Sequence, residues 1–229
     1  MPRDTLNVLA HEVVACELCP RLVAHRRDMA RIKRRAYLDW DYWGKPVPPF
    51  GPANARLMII GLAPAAHGGN RTGRMFTGDR SGDFLYRALY ETGFASQPTS
   101  QSRADGLELT DAYITAAVRC APPDNKPLPE EFQRCRPYLE REFDLLKNVR
   151  VVVALGKLAF DAYLGILRDR GIIRSRAAFP FGHSVRHEIP GAPTLIASYH
   201  PSQQNTQTGR LTPEMFRQVL DDICKFLAG

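Results

Sequence analysis

Four short apolar runs, set well apart along the chain, constrain its fold more than any other feature. Leu57-Met58-Ile59-Ile60 ends at Gly61, and Val151-Val152-Val153-Ala154-Leu155 ends at Gly156. Tyr113–Val118 runs into Arg119, and Thr194–Tyr199 runs into His200. None approaches the roughly 18 residues that a membrane span needs. The first three show no polar alternation, so they read as strands buried on both faces. Amphipathic helices are predicted between and after them. They cover 83–92 (Phe84, Leu85, Ala88 and Leu89 on one face), 129–146 (Pro129 at its start, then Phe132, Leu139, Phe143 and Leu146), Gly156 to about Leu167, and 212–227. A short helix is predicted over 4–15, an irregular loop over 40–55 and a hairpin over 179–189. Strands that alternate with helices predict an α/β fold with a mostly parallel sheet covered on both sides. The 229 residues suit one domain, 1–229, and the composition, 44% hydrophobic and 24% charged, excludes general disorder. The opening Met1-Pro-Arg-Asp-Thr-Leu lacks the apolar centre of a signal peptide, so the cytoplasm is the expected compartment, with no membrane association.

In such a sheet, ligands bind in the crevice beyond the carboxyl ends of the strands. The segments that leave three of the runs are unusual: Gly61-Leu-Ala-Pro-Ala-Ala-His-Gly-Gly, Arg119-Cys-Ala-Pro-Pro-Asp-Asn-Lys-Pro and His200-Pro-Ser-Gln-Gln-Asn. All three are expected at one edge. The first begins a loop over 61–79 that is rich in small residues. It matches neither G-x-x-x-x-G-K-[ST] nor G-x-G-x-x-G, which argues against a hydrolase of small nucleotides.

Five cysteines in a reducing compartment point to a metal site before a disulfide framework. Cys16 and Cys19 form a C-x2-C pair whose spacing lets two thiolates face one ion or cluster. Cys120 follows a predicted strand and Cys135 lies within a predicted helix, so the fold can bring both to a common point. Spacing alone leaves zinc, an iron–sulfur cluster and inert buried thiols open. Cys224 stands alone in the closing helix and reads as structural.

The net charge of +7 is concentrated. Residues 21–35 hold Arg21, Arg26, Arg27, Arg31, Lys33, Arg34 and Arg35 against Asp28 alone, and the rest of the chain is nearly neutral. A concentrated arginine run is what binding to a phosphate backbone requires, because each neutralised phosphate releases counterions. A solvated helix face is the other reading.

Taken in order, Cys16-x2-Cys19, Gly61-Leu-Ala-Pro-Ala, Arg71-Thr-Gly-Arg-Met-Phe-Thr-Gly-Asp-Arg-Ser-Gly, Arg119-Cys-Ala-Pro-Pro-Asp-Asn-Lys-Pro, Cys135 and His200-Pro-Ser-Gln-Gln-Asn resemble the family 5 (type-b) uracil-DNA glycosylases. Each motif alone is weak; their order and the cysteine spacing together are specific. The resemblance runs from about residue 16 to the closing helix. It implies a three-layer α/β/α fold with a four-stranded, mostly parallel sheet. The segment of about 1–50 then contributes cluster ligands and the basic stretch. It implies a 4Fe-4S cluster on Cys16, Cys19, Cys120 and Cys135. It also implies a monomeric repair enzyme, nucleoid-associated in a prokaryote, that acts on DNA containing deaminated bases: uracil, with hypoxanthine or xanthine in some members. A metal-stapled nucleic-acid-binding module without catalysis is the alternative.

On this reading, Phe76 stacks on an everted base, and the Gly61-Leu62-Ala63 turn presents backbone N–H groups to it. His200 donates to the base oxygen, and Ser202, Gln203 and Asn205 belong to a loop that enters the minor groove. The sequence departs from many relatives at Leu62 and Ala63, where an Asp, Asn or Glu would orient water. Asp79 is the candidate general base; a helix N-cap is its other reading. Relatives also place a base-reading Asn where this chain has Ala116. Asn125 is the candidate substitute, and losing a fixed amide reader fits broader base acceptance.

Overall fold

The computed structural model describes residues 4–229. Met1, Pro2 and Arg3, on which the signal-peptide expectation partly rests, lie outside the described residues. Two helices lead: α1 (Leu6–Ala15), capped by the Thr5 hydroxyl, and α2 (Pro20–Ile32), which Pro20 opens. There follow β1 (Leu57–Gly61), α3 (Gly69–Thr72), α4 (Arg80–Glu91), β2 (Ala112–Ala116), α5 (Pro129–Leu145) and β3 (Val151–Leu155). The chain closes with α6 (Lys157–Asp169), β4 (Arg186–His187), β5 (Thr194–Ser198), α7 (Gln203–Gln207) and α8 (Pro213–Ala228).

The strand order is β2-β1-β3-β5-β4. β2, β1, β3 and β5 are parallel, so their carboxyl ends share one edge. The sheet therefore has five strands, where the resemblance implied four. The fifth, β4, is a two-residue antiparallel edge on Leu195 and Ile196 of β5. Residues 179–189 consequently do not pair among themselves as a hairpin; their only strand residues pair with the strand that follows. The predicted loop over 61–79 also contains one short helix, α3.

Every residue of the four parallel strands is buried, as continuous apolar runs require of a sheet covered on both sides. Leu57, Ile59, Ile114 and Val153 pack with Leu85 and Leu89 of α4 and with Phe216 and Leu220 of α8. On the other face, Met58, Ile60 and Val152 pack with Leu139 of α5 and with Phe160 and Leu164 of α6. The three-layer α/β/α arrangement follows.

One polar network crosses this core. The buried Glu142 carboxylate of α5 accepts from Tyr113 Oη at 3.2 Å, Thr115 Oγ1 at 2.8 Å and Arg119 Nη2 at 2.7 Å. Removing one member of such a buried pair costs about 3–5 kcal/mol, because it leaves the other charge uncompensated. The network fixes the end of β2 against α5, where the cavity described next opens.

Candidate active site

A cavity of about 740 Å³ lies at the shared carboxyl edge of the sheet. Leu62, Ala63, Phe76, Asp79, Asn125, His200, Ser202, Gln203 and Asn205 all line it, with Ala116 among them. Three loops far apart in sequence therefore meet at one concave surface. Gly61 sits behind the wall: a Cβ there would come within 2.8 Å of Phe76 Cζ, so only glycine lets the ring lie over the end of β1. Phe76 adopts the left-handed conformation (φ 51°), which costs roughly 1–2 kcal/mol for a residue with a side chain. Its ring centroid is 5.9 Å from that of His200, tilted by 32°.

Among the described residues, the Ala63 and Ala65 N–H groups of the first loop have no acceptor within the protein, and both residues line the cavity. Such preoriented donors suit a group that gathers negative charge. Asp79 is both a helix cap and a cavity wall. It caps α4, with Oδ1 accepting from Gly82 N at 3.0 Å, and it lines the cavity. A Cβ on Gly68 would collide with Asp79 Oδ2, so Gly68 makes room for the carboxylate. Burial raises the Asp79 pKa above the ordinary aspartate value, although the Gly82 N–H opposes this.

Burial pushes the His200 pKa down to about 4, so the imidazole is neutral near pH 7 and keeps one N–H to donate. Its carbonyl accepts from Asn205 Nδ2 at 2.9 Å, which braces the 200–205 turn and engages that amide locally. Asn125 is exposed and, with Asp124, takes left-handed dihedrals after the rigid Pro122-Pro123. It lines the cavity from the β2 side, near Ala116.

The cavity has a wall that the sequence reading missed. Gly156, Lys157 and Leu158, where β3 passes into α6, line it, as do Arg80, Tyr199 and Arg210. The rule that ligands bind beyond strand ends applies to β3 as much as to its neighbours, and Gly156 was the available signal.

None of the four cysteines lines this cavity, although Ala63 of its wall packs against their cluster. Cys16 ends α1, Cys19 precedes α2, Cys120 follows β2 and Cys135 lies in α5. Cys19, Cys120 and Cys135 share one buried cluster with Leu22 and Val118. The four are near enough that, as thiolates, they would repel one another. Burial pushes the Cys120 thiol up to about 12 and the Cys135 thiol up to about 11. The Arg119 N–H donates to Cys135 Sγ at 3.4 Å. Among the described residues, no three His, Cys, Asp or Glu side chains close tightly enough to hold one metal ion. Cys224 lies elsewhere, its thiol 3.6 Å from the Thr92 carbonyl.

The basic stretch is only partly a surface. Arg21 forks onto Glu131 at 2.7 and 2.8 Å, and Arg26 is buried with Nη1 on the Gly44 carbonyl at 2.6 Å. Arg27 pairs with Glu17, and Arg31 pairs with Asp28 at 3.2 Å. Arg34 and Arg35 are exposed and, among the described residues, make no ion pair.

Comparison with known proteins agrees with this architecture. Residues 48–224 match the family model described as the uracil DNA glycosylase superfamily. The chain is 52% identical over 217 residues to the type-5 uracil-DNA glycosylase of Thermus thermophilus, covering 95% of each chain. It is 50% identical over 228 residues to the enzyme so named from Mycobacterium bovis, covering 98% of this chain and 81% of that one. It is 48% identical over 219 residues to the one from Pyrobaculum aerophilum, covering 96% and 92%. With strands, cavity and sequence in agreement, the chain belongs to the uracil-DNA glycosylase superfamily, in its type-5 group.

Proposed function

We propose that this protein removes uracil, and also hypoxanthine or xanthine, from DNA by hydrolysing the N-glycosidic bond, leaving an abasic site. The observation that carries this reading is the meeting of the Ala63 turn, Asp79 and His200 on one cavity. The target base has to leave the stack to reach such a site, at a cost of a few kcal/mol that is lowest for a mispaired base. Phe76 offers a face for stacking, worth about 1–3 kcal/mol and tolerant of base identity. Ser202, Gln203 and Asn205 flank the gap left in the duplex, and Asn125 approaches the base edge. As the bond from C1′ to the base nitrogen breaks, its electron pair passes to the base. The free N–H groups of Ala63 and Ala65 and the neutral His200 N–H stabilise that charge. A water oxygen bonds to C1′, and Asp79 takes its proton and faces the cationic sugar. Ala116 leaves no amide in the strand to reject purines, which supports the broader base range.

Cys16, Cys19, Cys120 and Cys135 would hold a 4Fe-4S cluster. Cys19, Cys120 and Cys135 are buried and Cys16 is half-buried beside them, and a thiolate-ligated cluster would relieve the repulsion that these four would exert on one another as thiolates. When bound, the cluster supplies a staple joining α1, α2, β2 and α5, and no bond-making step passes through it.

Incubating a uracil-containing duplex with the protein, followed by hot alkali, should cut the strand at uracil. Binding without cleavage would favour the non-catalytic metal-stapled module. A panel of hypoxanthine and xanthine opposite each normal base tests the range. For the basic stretch, replacing Arg34 and Arg35 with alanine should reduce the slope of log affinity against log salt by up to about 2. Arg26→Ala should instead lower the melting temperature, because its guanidinium is spent on the Gly44 carbonyl. An unchanged slope in the double variant would leave DNA contact to other groups.

A further inference from the structure

Arg71 is a buried cation that the mechanism above does not use. Its side chain is 3% exposed, yet it lines no part of the cavity. Burying a charge is costly unless it is paired. Arg74 meets Asp105 and Arg119 meets Glu142, both at 2.7 Å. Among the described residues, no carboxylate oxygen lies within 4 Å of Arg71. The guanidinium is held by neutral groups instead. Nε donates to the His67 carbonyl and Nη2 to the Gly78 carbonyl, each at 2.8 Å, so one side chain ties the two ends of the 67–78 loop together. The rings of Tyr37 and Trp40 lie 3.9 and 4.0 Å from its central carbon. Nη1 is buried without a partner. The residue after Gly78 is Asp79.

We propose that Arg71 is a positioning residue: it locks the Gly78–Asp79 turn and directs an unneutralised positive charge at the Asp79 carboxylate. This rests on the glycosidase reading above. A carboxylate ion pair would tie the loop equally well but would cancel the charge; carbonyls and aromatic faces hold the cation and leave its field intact. The other groups near Asp79 are the Asp83 carboxylate, which opposes ionisation, the Ser81 and Gly82 N–H groups, which favour it, and Arg80, His200 and Arg210 on the shared cavity wall. Arg71 acts against burial and Asp83 from behind the Gly78–Asp79 turn, whereas the cations Arg80 and Arg210 stand on the cavity wall.

The test is single-turnover uracil release against pH for wild type, Arg71→Met, Arg71→Lys and Trp40→Ala, with DNA affinity and melting temperature measured alongside. Arg71→Met should lower the rate roughly 10- to 100-fold, as a misplaced catalytic group does. Its acidic limb should move to higher pH, while affinity for uracil DNA stays unchanged. Arg71→Lys should return the limb toward the wild-type pH without restoring the full rate. Trp40→Ala, which removes one stacking face, should shift the limb in the same direction by less, and it carries the test if Arg71→Met does not fold. A slower Arg71→Met with an unmoved limb would make the residue merely structural and overturn the proposal. So would wild-type rates and limbs in Arg71→Lys and Trp40→Ala. Wild-type protein that releases no uracil would overturn the glycosidase reading itself, before any variant is compared.

Discussion

Asp79→Asn is expected to slow uracil release by about 10²–10⁴-fold, the usual worth of a positioned general base, with affinity for uracil DNA nearly unchanged. The substitution is chosen because Asp79 caps α4 through Gly82 N. Asparagine caps a helix about as well as aspartate, so it removes the base and keeps the cap. Asp79→Ala removes both, and should lose roughly 1 kcal/mol of stability in addition. A residue that only capped the helix would give an active asparagine variant and an impaired alanine variant. The pH dependence has a definite sign. Proton abstraction needs the carboxylate, so the rate falls as pH drops through the Asp79 pKa. Burial sets that pKa above the ordinary aspartate value, so the decline begins at higher pH than a free carboxylate would give. His200 becomes charged only near pH 4, so near neutral pH the imidazole is a neutral donor. An asparagine variant with wild-type single-turnover rates would leave Asp79 as a cap alone.

The four parallel strands were legible because a strand buried on both faces leaves an uninterrupted apolar run. The loops that leave them were legible because the carboxyl edge of such a sheet is where chemistry collects. β4 was not legible. Its two residues, Arg186 and His187, have no periodicity to detect, and only pairing with Leu195 and Ile196 makes them a strand. α3 is four residues inside a glycine-rich loop, held by packing and by Arg71 rather than by propensity. The basic stretch shows how a charge run misleads in one dimension. Arg26 follows Leu22 by four residues and Val23 by three, so it shares their buried helix face. That spacing was visible and marks Arg26 as an anchor before it can be a phosphate ligand. The Arg71 clamp was invisible for a different reason: its partners at 37, 40, 67 and 78 are set by tertiary approach alone.

Cys135→Ser should leave a protein without the brown colour and the bound iron that the purified wild type is expected to show. Its melting temperature should fall by about 10 °C or more, since a metal site's binding free energy is folding free energy and 1 kcal/mol moves a chain of this size by about 2–4 °C. The size of the effect follows from what the thiols join. Cys135 and Cys120 belong to the sheet-and-helix body, whereas Cys16 and Cys19 belong to the leading α1–α2 segment. Without a shared cluster, that segment keeps the packing of Leu6, Leu9, Val13 and Leu22, the Arg21–Glu131 fork, the Arg26 anchor and the pairs of Arg141 with Asp4 and Glu12. Several of these are exposed and contribute about 0–1 kcal/mol each. Protease digestion of Cys135→Ser should therefore cut first near the junction after residue 45, before the sheet opens. Uracil release should persist in the fraction that remains folded, because no cysteine lines the cavity. Cys224→Ser is the matched control and should keep colour and cleavage pattern. A colourless wild type containing one zinc per chain, or a Cys135→Ser variant that melts and digests like the wild type, would refute the cluster.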